Sequence, residues 1–267
     1  MSDTSPLRVV FSGWGAISTT VAASLSEPSV HIVGVARRSS TVDTSIPPTA
    51  ARITHPDQLA ALRPHVIVEA AGRESVGQWG AAALATGARL IVSSVSAFAD
   101  DVLFASLSAS AAAHNTCLEI HPGALAGIDA LSAARAVGID SVTHRIIKPP
   151  QAWVDTPAET LCDLHTLSTA TEFYVGSAAD TATEFPKNAN VAMTTALAGI
   201  GPQLTRIVCV ADPLAASNRH EIAARGAFGS LNVTSESSPL PANPKTSAMA
   251  AYSLRRAIIN QANAVVI

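Results

Sequence analysis

A two-part α/β protein is predicted by three features of the sequence. A short apolar run, Val9-Val10-Phe11, breaks on Ser12-Gly13-Trp14-Gly15 and opens the helical stretch from Ala16 to Ala23. Apolar, strand-like runs then alternate with alanine-rich helical runs as far as Ile120. Beyond His121 the rhythm changes to alternating runs that stop at prolines. Strands interleaved with helices imply βαβ units and a parallel sheet. The expected architecture is an N-terminal Rossmann dinucleotide-binding domain over residues 1–120 and a smaller α+β domain with a mostly antiparallel sheet over 121–243. The second part is the expected catalytic and oligomerisation domain, and a C-terminal helix over 244–267 is expected to pack back on the first.

The first strand carries the most information. A strand that ends on Gly-x-Gly before a helix leaves backbone N–H groups at the positive end of the helix dipole, which suits a pyrophosphate. Gly13, Gly15, Ala16 and Ile17 are the expected contacts. The third glycine of the usual fingerprint is replaced by Ser18, the next smallest polar choice for close helix–strand packing. A second strand is expected over Val30–Ala36. At its end an acidic residue would bind a ribose 2′-hydroxyl, yet the chain reads Ala36-Arg37-Arg38-Ser39-Ser40. A solvated basic turn would read the same. Within a Rossmann domain, however, Arg37 and Arg38 favour a 2′-phosphate, so NADP is the expected cofactor, with NAD tolerated. Further strands are expected at Val66–Ala71, Arg89–Ser94 and Leu118–Ile120, with helices at Trp79–Thr86 and Asp101–His114.

In the second part, Ser141–Lys148 and Arg206–Pro213 read as strands, and Arg219–Ala224 with Phe228–Ser235 as a hairpin around Gly226. Pro186–Gly199 reads as a helix, with proline near its first position and Gly201-Pro202 beyond its end. Thr246–Asn263 reads as the last helix, with Asn243 its expected cap.

Composition narrows the function. Charged residues are only 14% and the net charge is -3, which leaves no electrostatic footprint for nucleic acid or an anionic membrane. No apolar run reaches the length of a bilayer, and Met1–Pro6 is polar rather than a signal peptide. The three cysteines are far apart with no metal-ligand spacing, so no metal is expected and a reducing cytoplasm is the expected compartment.

Three polar clusters could carry chemistry. Lys187 and Asn190 share one face of the expected helix, and a lysine in a first turn opposes the macrodipole. A shared anionic or amide ligand explains both, and so does an exposed lysine beside a capping asparagine. His220 alternates in phase with Ile222 and Ala224, as a satisfied core histidine or as an acid/base group. Lys245 sits in Asn243-Pro244-Lys245-Thr246-Ser247, and Lys148 precedes Pro149-Pro150.

At these clusters the chain resembles the L-aspartate dehydrogenase family. The matching segments are Ser96–Asp100, Pro122–Leu131, Lys148-Pro149-Pro150, Phe185–Ala192, Ala211-Asp212-Pro213 with Asn218-Arg219-His220, and Asn243–Ser247, in the family's order. The resemblance implies NAD(P)-dependent oxidative deamination of L-aspartate to iminosuccinate, and the reverse reductive amination. The imine then hydrolyses to oxaloacetate and ammonia or feeds quinolinate and NAD synthesis. It also implies a homodimer or higher homo-oligomer. By motif match His220 falls on the family's active-site histidine, and Ala124 and Asn190 on its cofactor contacts. Candidates for the substrate carboxylates are Lys148, Lys187, Arg219 and Lys245. Two departures bear on substrate range: Pro122 stands where the family usually has serine, and Ser18 where it has glycine. The alternatives are an NADP-dependent reductive aminase or dehydrogenase for another oxo acid or ketone, and a non-catalytic NADP-binding regulator.

Overall fold

The computed structural model describes residues 5–37 and 43–266, and for Pro244 and Lys245 the backbone alone. The chain divides into two compact units, Met1–His121 with Ala251–Ile267, and Pro122–Ala250.

The first unit runs β1 (Leu7–Ser12), α1 (Ala16–Ser24), β2 (Val30–Ala36), β3 (Ala51–Ile53), β4 (Val66–Glu69), α2 (Arg73–Ala85), β5 (Arg89–Val92), α3 (Asp101–Ala113) and β6 (Leu118–Ile120). All six strands are parallel, in the order β3-β2-β1-β4-β5-β6. That is the doubly wound order whose ligands bind beyond the strand C-termini, where the order reverses between β1 and β4. The central strands read as continuous apolar runs because both their faces are buried: Val9, Val10, Phe11 and Val68 have no exposed surface. The helix expected from Trp79 starts earlier, at Arg73, since Glu74 in its first turn complements the dipole. Asp100 caps α3, accepting from the amides of Val102 and Leu103 at 3.0 Å. The edge strand β3 has three residues, too few to show a period.

Ser18 lies on α1 with no exposed surface, and its hydroxyl has no hydrogen-bond partner among the described residues. The site therefore accepts the small side chain and gains nothing from its oxygen. Ser18→Ala is expected to leave the melting temperature unchanged or raise it, whereas Ser18→Gly lowers stability by about 1 kcal/mol through helix entropy. Calorimetry on both variants checks this; a marked loss in Ser18→Ala would mean that the hydroxyl has a partner.

The second unit runs α4 (Ile128–Ala134), β7 (Ile139–Lys148), α5 (Ala158–Leu161), β8 (Thr171–Ser177), α6 (Ala178–Glu184), α7 (Ala189–Ala198), β9 (Arg206–Ala211), β10 (Asn218–Gly226), β11 (Gly229–Ser237), β12 (Pro239–Leu240) and β13 (Asn243–Ser247). Its five-stranded sheet has the order β11-β10-β7-β9-β8, antiparallel except for β7 against β9. On one face Ile146, Ile207 and Cys209 pack with Ala192 and Ala196 of α7, while Val142, Ile222 and Ala224 pack with Leu131 of α4. The opposite face carries an ion-pair ladder. Arg145 pairs with Glu172 and Glu221, and Arg219 with Glu221 and Asp212.

Two expected helix starts are corrected. The stretch Pro186–Gly199 is not one helix: Pro186–Asn188 forms a 3-10 turn, and α7 begins at Ala189. Lys187 therefore precedes the α-helix and neither opposes its first turn nor shares its face with Asn190. The segment Asn243–Ser247 is a strand paired with β12, not a capping turn. The last helix, α8 (Ala248–Ile259), is capped from a distance instead: Ser238 carbonyl accepts from Ala248 N–H at 2.9 Å, and Ser237 Oγ from Met249 N–H at 3.2 Å. From Ala251 onward α8 belongs to the first unit, where Arg255 donates to the Ser24 carbonyl and pairs with Glu27.

Candidate active site

In the first unit, the ends of β1 and β4 border a cleft of about 330 Å³ lined by Gly13, Gly15, Arg37, Ala70 and Ala71. Gly13 has φ +96°, and a Cβ there would sit 2.6 Å from Ala71 Cβ and 2.9 Å from the Ala70 carbonyl oxygen. Only glycine lets the two strand ends approach so closely. Gly15 caps α1 without a side chain, and the first helical bond runs from Thr19 N–H to its carbonyl at 2.9 Å. The amides of Ala16 and Ile17 at that terminus have no acceptor within the helix. A turn that brings bare amides to a helix N-terminus fits the diphosphate of a dinucleotide.

Glu69, buried at the end of β4, holds this edge together. Its Oε1 accepts from the amides of Ala71 and Gly72 at 2.8 and 2.9 Å and from the Ser94 hydroxyl at 3.0 Å, and its Oε2 from the Ser94 amide at 3.0 Å. Burial raises its pKa, and these donors oppose the rise. Sequence reading gave Glu69 only an apolar strand position.

Arg37 borders the cleft, but its Nη1 lies 2.9 Å from Asp43 Oδ2. Bonds from Ser45, with help from Arg37, hold that carboxyl below its usual range. The sequence offered no carboxylate at the end of β2; the following loop returns one. Arg38 lies outside the described residues.

In the second unit, strand register assembles the polar group. His220 on β10 is opposite Ile146 on β7, so its diagonal neighbours on the same sheet face are His144 and Lys148. His220 is 5% exposed and His144 fully buried. His220 Nδ1 lies 3.1 Å from His144 Nε2, and His144 Nδ1 2.9 Å from Thr195 Oγ1 on α7. Burial, reinforced by the Lys148 charge, pushes His220 down to about 3. Burial and then His220 hold His144 well below its ordinary value. Both rings are therefore neutral at pH 7.

Lys148 Nζ donates to Asn188 Oδ1 and stands 5.0 Å from the centroid of the buried Trp153 ring. Burial lowers its pKa to about 8, and the Lys187 charge adds to the shift. The Cys209 thiol is itself pushed by burial up to about 12, so it is uncharged where Lys148 titrates. A free lysine titrates near 10.5, so between about 8 and 10.5 the unfolded chain binds more protons than the folded one. Stability from this group accordingly rises with pH across that window, by up to about 1.4 kcal/mol per pH unit. Lys148→Met is expected to remove that component, read as the wild-type-minus-variant difference in urea unfolding on either side of about pH 8. An unchanged difference would mean that Lys148 titrates as a solvated lysine.

The structure thus sets His220 and Lys148 side by side and gives the Arg219 guanidinium and the Lys187 amine other partners. Arg219 is on the opposite sheet face within the ion-pair ladder. Lys187 is exposed and donates to the Asp155 carbonyl at 3.2 Å. Lys245 is in β13, its side chain outside the described residues. Ala124 is buried in the turn before α4 and its carbonyl accepts from Ser235 Oγ at 3.2 Å, while Asn190 sits in the first turn of α7. Sequence reading missed His144, Thr195 and Asn188. The alternation of His144 with Ile146 signalled its face, but nothing local signalled the partners on α7 and the preceding turn.

Comparison with known proteins bears on the family and the fold. Residues 129–261 match the family described as aspartate dehydrogenase, C-terminal, and residues 13–121 match the homoserine dehydrogenase NAD binding domain. The L-aspartate dehydrogenase of Brucella anthropi is 50% identical over 262 residues, covering 97% of this chain and 98% of the relative. That of Pseudomonas aeruginosa is 41% identical over 266 residues, covering 97% and 99%. The fold matches the crystal structure of aspartate dehydrogenase from Thermotoga maritima with a TM-score of 0.78 at 24% identity, over 98% of this chain and 99% of that one. Near full-length identity at this level leaves one conclusion: the chain belongs to the L-aspartate dehydrogenase family.

Proposed function

We propose that the chain interconverts L-aspartate and iminosuccinate with a nicotinamide dinucleotide, using NADP in preference to NAD. The observation that carries this reading is a lysine amine and a neutral imidazole set as neighbours on one sheet face, in a chain 50% identical to an L-aspartate dehydrogenase. The nicotinamide, when bound, takes or gives the hydride. Gly13, Gly15, Ala16 and Ile17 hold the diphosphate, and Ala124 and Asn190 are the proposed contacts from the second unit. Lys148, largely charged below about pH 8, pairs with a substrate carboxylate while Asn188 orients its amine. His220 hydrogen-bonds the reacting nitrogen or the oxygen that replaces it.

The test is the initial rate of NADPH and NADH oxidation with oxaloacetate plus ammonia. An ammonia-dependent rate, faster with NADPH, is expected. Arg37→Ala should lower kcat/KM for NADPH by roughly 10- to 100-fold, the worth of a charge-assisted contact to a 2′-phosphate, and leave NADH nearly unaffected. Equal losses with both cofactors would remove Arg37 from the choice between them. Protein that binds NADPH but shows no ammonia-dependent rate would sink the aspartate reading.

A further inference from the structure

The chain of contacts behind His220 has a direction. Thr195 has no exposed surface, and His144 Nδ1 is the one hydrogen-bond partner of its hydroxyl among the described residues. The neighbouring Thr194 behaves differently, donating its hydroxyl to the Asn190 carbonyl at 2.9 Å. A buried hydroxyl has one hydrogen to place, and here a single acceptor is in reach. Thr195 therefore donates to His144 Nδ1. The one hydrogen of the neutral His144 ring is then on Nε2, where it points along the 3.1 Å contact to His220 Nδ1. With Nδ1 accepting, the hydrogen of the neutral His220 ring is on Nε2.

We infer that Thr195, acting through His144, fixes resting His220 as the Nε2–H tautomer, so that His220 meets a substrate oxygen as a hydrogen-bond donor rather than as a base. Thr195 and His144 are positioning residues; no proton needs to travel along the chain. The substrate in this statement rests on the aspartate reading, whereas the tautomer does not. The wiring also assigns α7 a task beyond packing, because it brings the Thr195 hydroxyl to the buried face of β7. A polar group with no alternative partner imposes one tautomer on the two rings beyond it.

The experiment uses the full chain with 15N-labelled histidine, the His220 resonances being identified by their loss in His220→Gln. Expected in the wild type is a protonated, pyrrole-type Nε2 and an unprotonated, pyridine-type Nδ1 on His220. Thr195→Val keeps the shape, removes the donor and leaves His144 Nδ1 without one. Its His220 shifts should move toward a tautomeric average, and kcat for ammonia-dependent oxaloacetate reduction should fall about tenfold with KM little changed. Thr195→Ser should restore both. A hydrogen on His220 Nδ1 in the wild type overturns the inference, as do unchanged shifts and kcat in folded Thr195→Val. If Thr195→Val does not fold, the wild-type shifts decide. Absence of oxaloacetate turnover in the wild type would remove the aspartate reading alone, since the nitrogen shifts would still report the tautomer.

Discussion

His220→Gln should lower kcat for ammonia-dependent oxaloacetate reduction by roughly 10²- to 10³-fold, the usual worth of one positioned hydrogen-bond donor at the reacting atoms. Cofactor affinity and melting temperature should stay near wild type. The substitution retains a polar group of similar reach, so a hydrogen bond to His144 can survive in the buried site. What disappears is the imidazole nitrogen beyond that bond. Initial rates, an NADPH titration and a melting curve on the same preparation separate these effects. A loss below about tenfold, or one confined to KM, would return His220 to the role of a satisfied core histidine. His220 is neutral far below pH 7, so its removal should depress turnover at all working pH values rather than shift a titration.

The second large effect is expected at the turn after β1. Gly13→Ala forces a side chain into a φ of +96° and sets its Cβ 2.6 Å from Ala71 Cβ, 2.8 Å from Ala71 Cα and 2.9 Å from the Ala70 carbonyl oxygen. Two of those atoms are backbone, so the strand ends must part. Backbone strain of this kind is worth about 1–3 kcal/mol, or roughly 5- to 150-fold in an equilibrium, before the clash is added. NADPH and NADH affinity should therefore fall together, by at least that range, because the diphosphate amides move whichever ribose is bound. Gly15→Ala separates the two causes, since a Cβ there meets no protein atom within 4 Å and its φ is ordinary, so any loss of affinity would come from the cleft side alone and not from parted strand ends. Equal cofactor affinity in Gly13→Ala and wild type, by fluorescence titration, would show that the β1 turn does not hold the diphosphate.

Much of the fold was legible because its signals are local. Val9-Val10-Phe11 and Val66-Ile67-Val68 are apolar runs, as strands buried on both faces must be, and Gly13-Trp14-Gly15 breaks the first where the chain turns. The alternation of His220, Ile222 and Ala224 showed which way His220 faces. Helix starts were less legible. Asn243 resembles a cap, but Ser237, on a different strand, supplies the oxygen that α8 uses. Pro186 resembles a first helical residue, but the chain makes a 3-10 turn there, and the buried Asn188 side chain meets Lys148.

By itself the sequence determined the two-part α/β architecture, the glycine turn and the family, and it offered His220 as a candidate active-site residue. The tertiary structure decided the company His220 keeps. Lys148 and His144 become its neighbours through the register of β10 against β7, Thr195 reaches His144 through the packing of α7, and Arg219, next to His220 in sequence, is turned to the other face. Asp43 reaches Arg37 in the same non-local way. The physical reason is that periodicity and turn chemistry are properties of adjacent residues, whereas a buried polar group must find its partner wherever the packed chain places one.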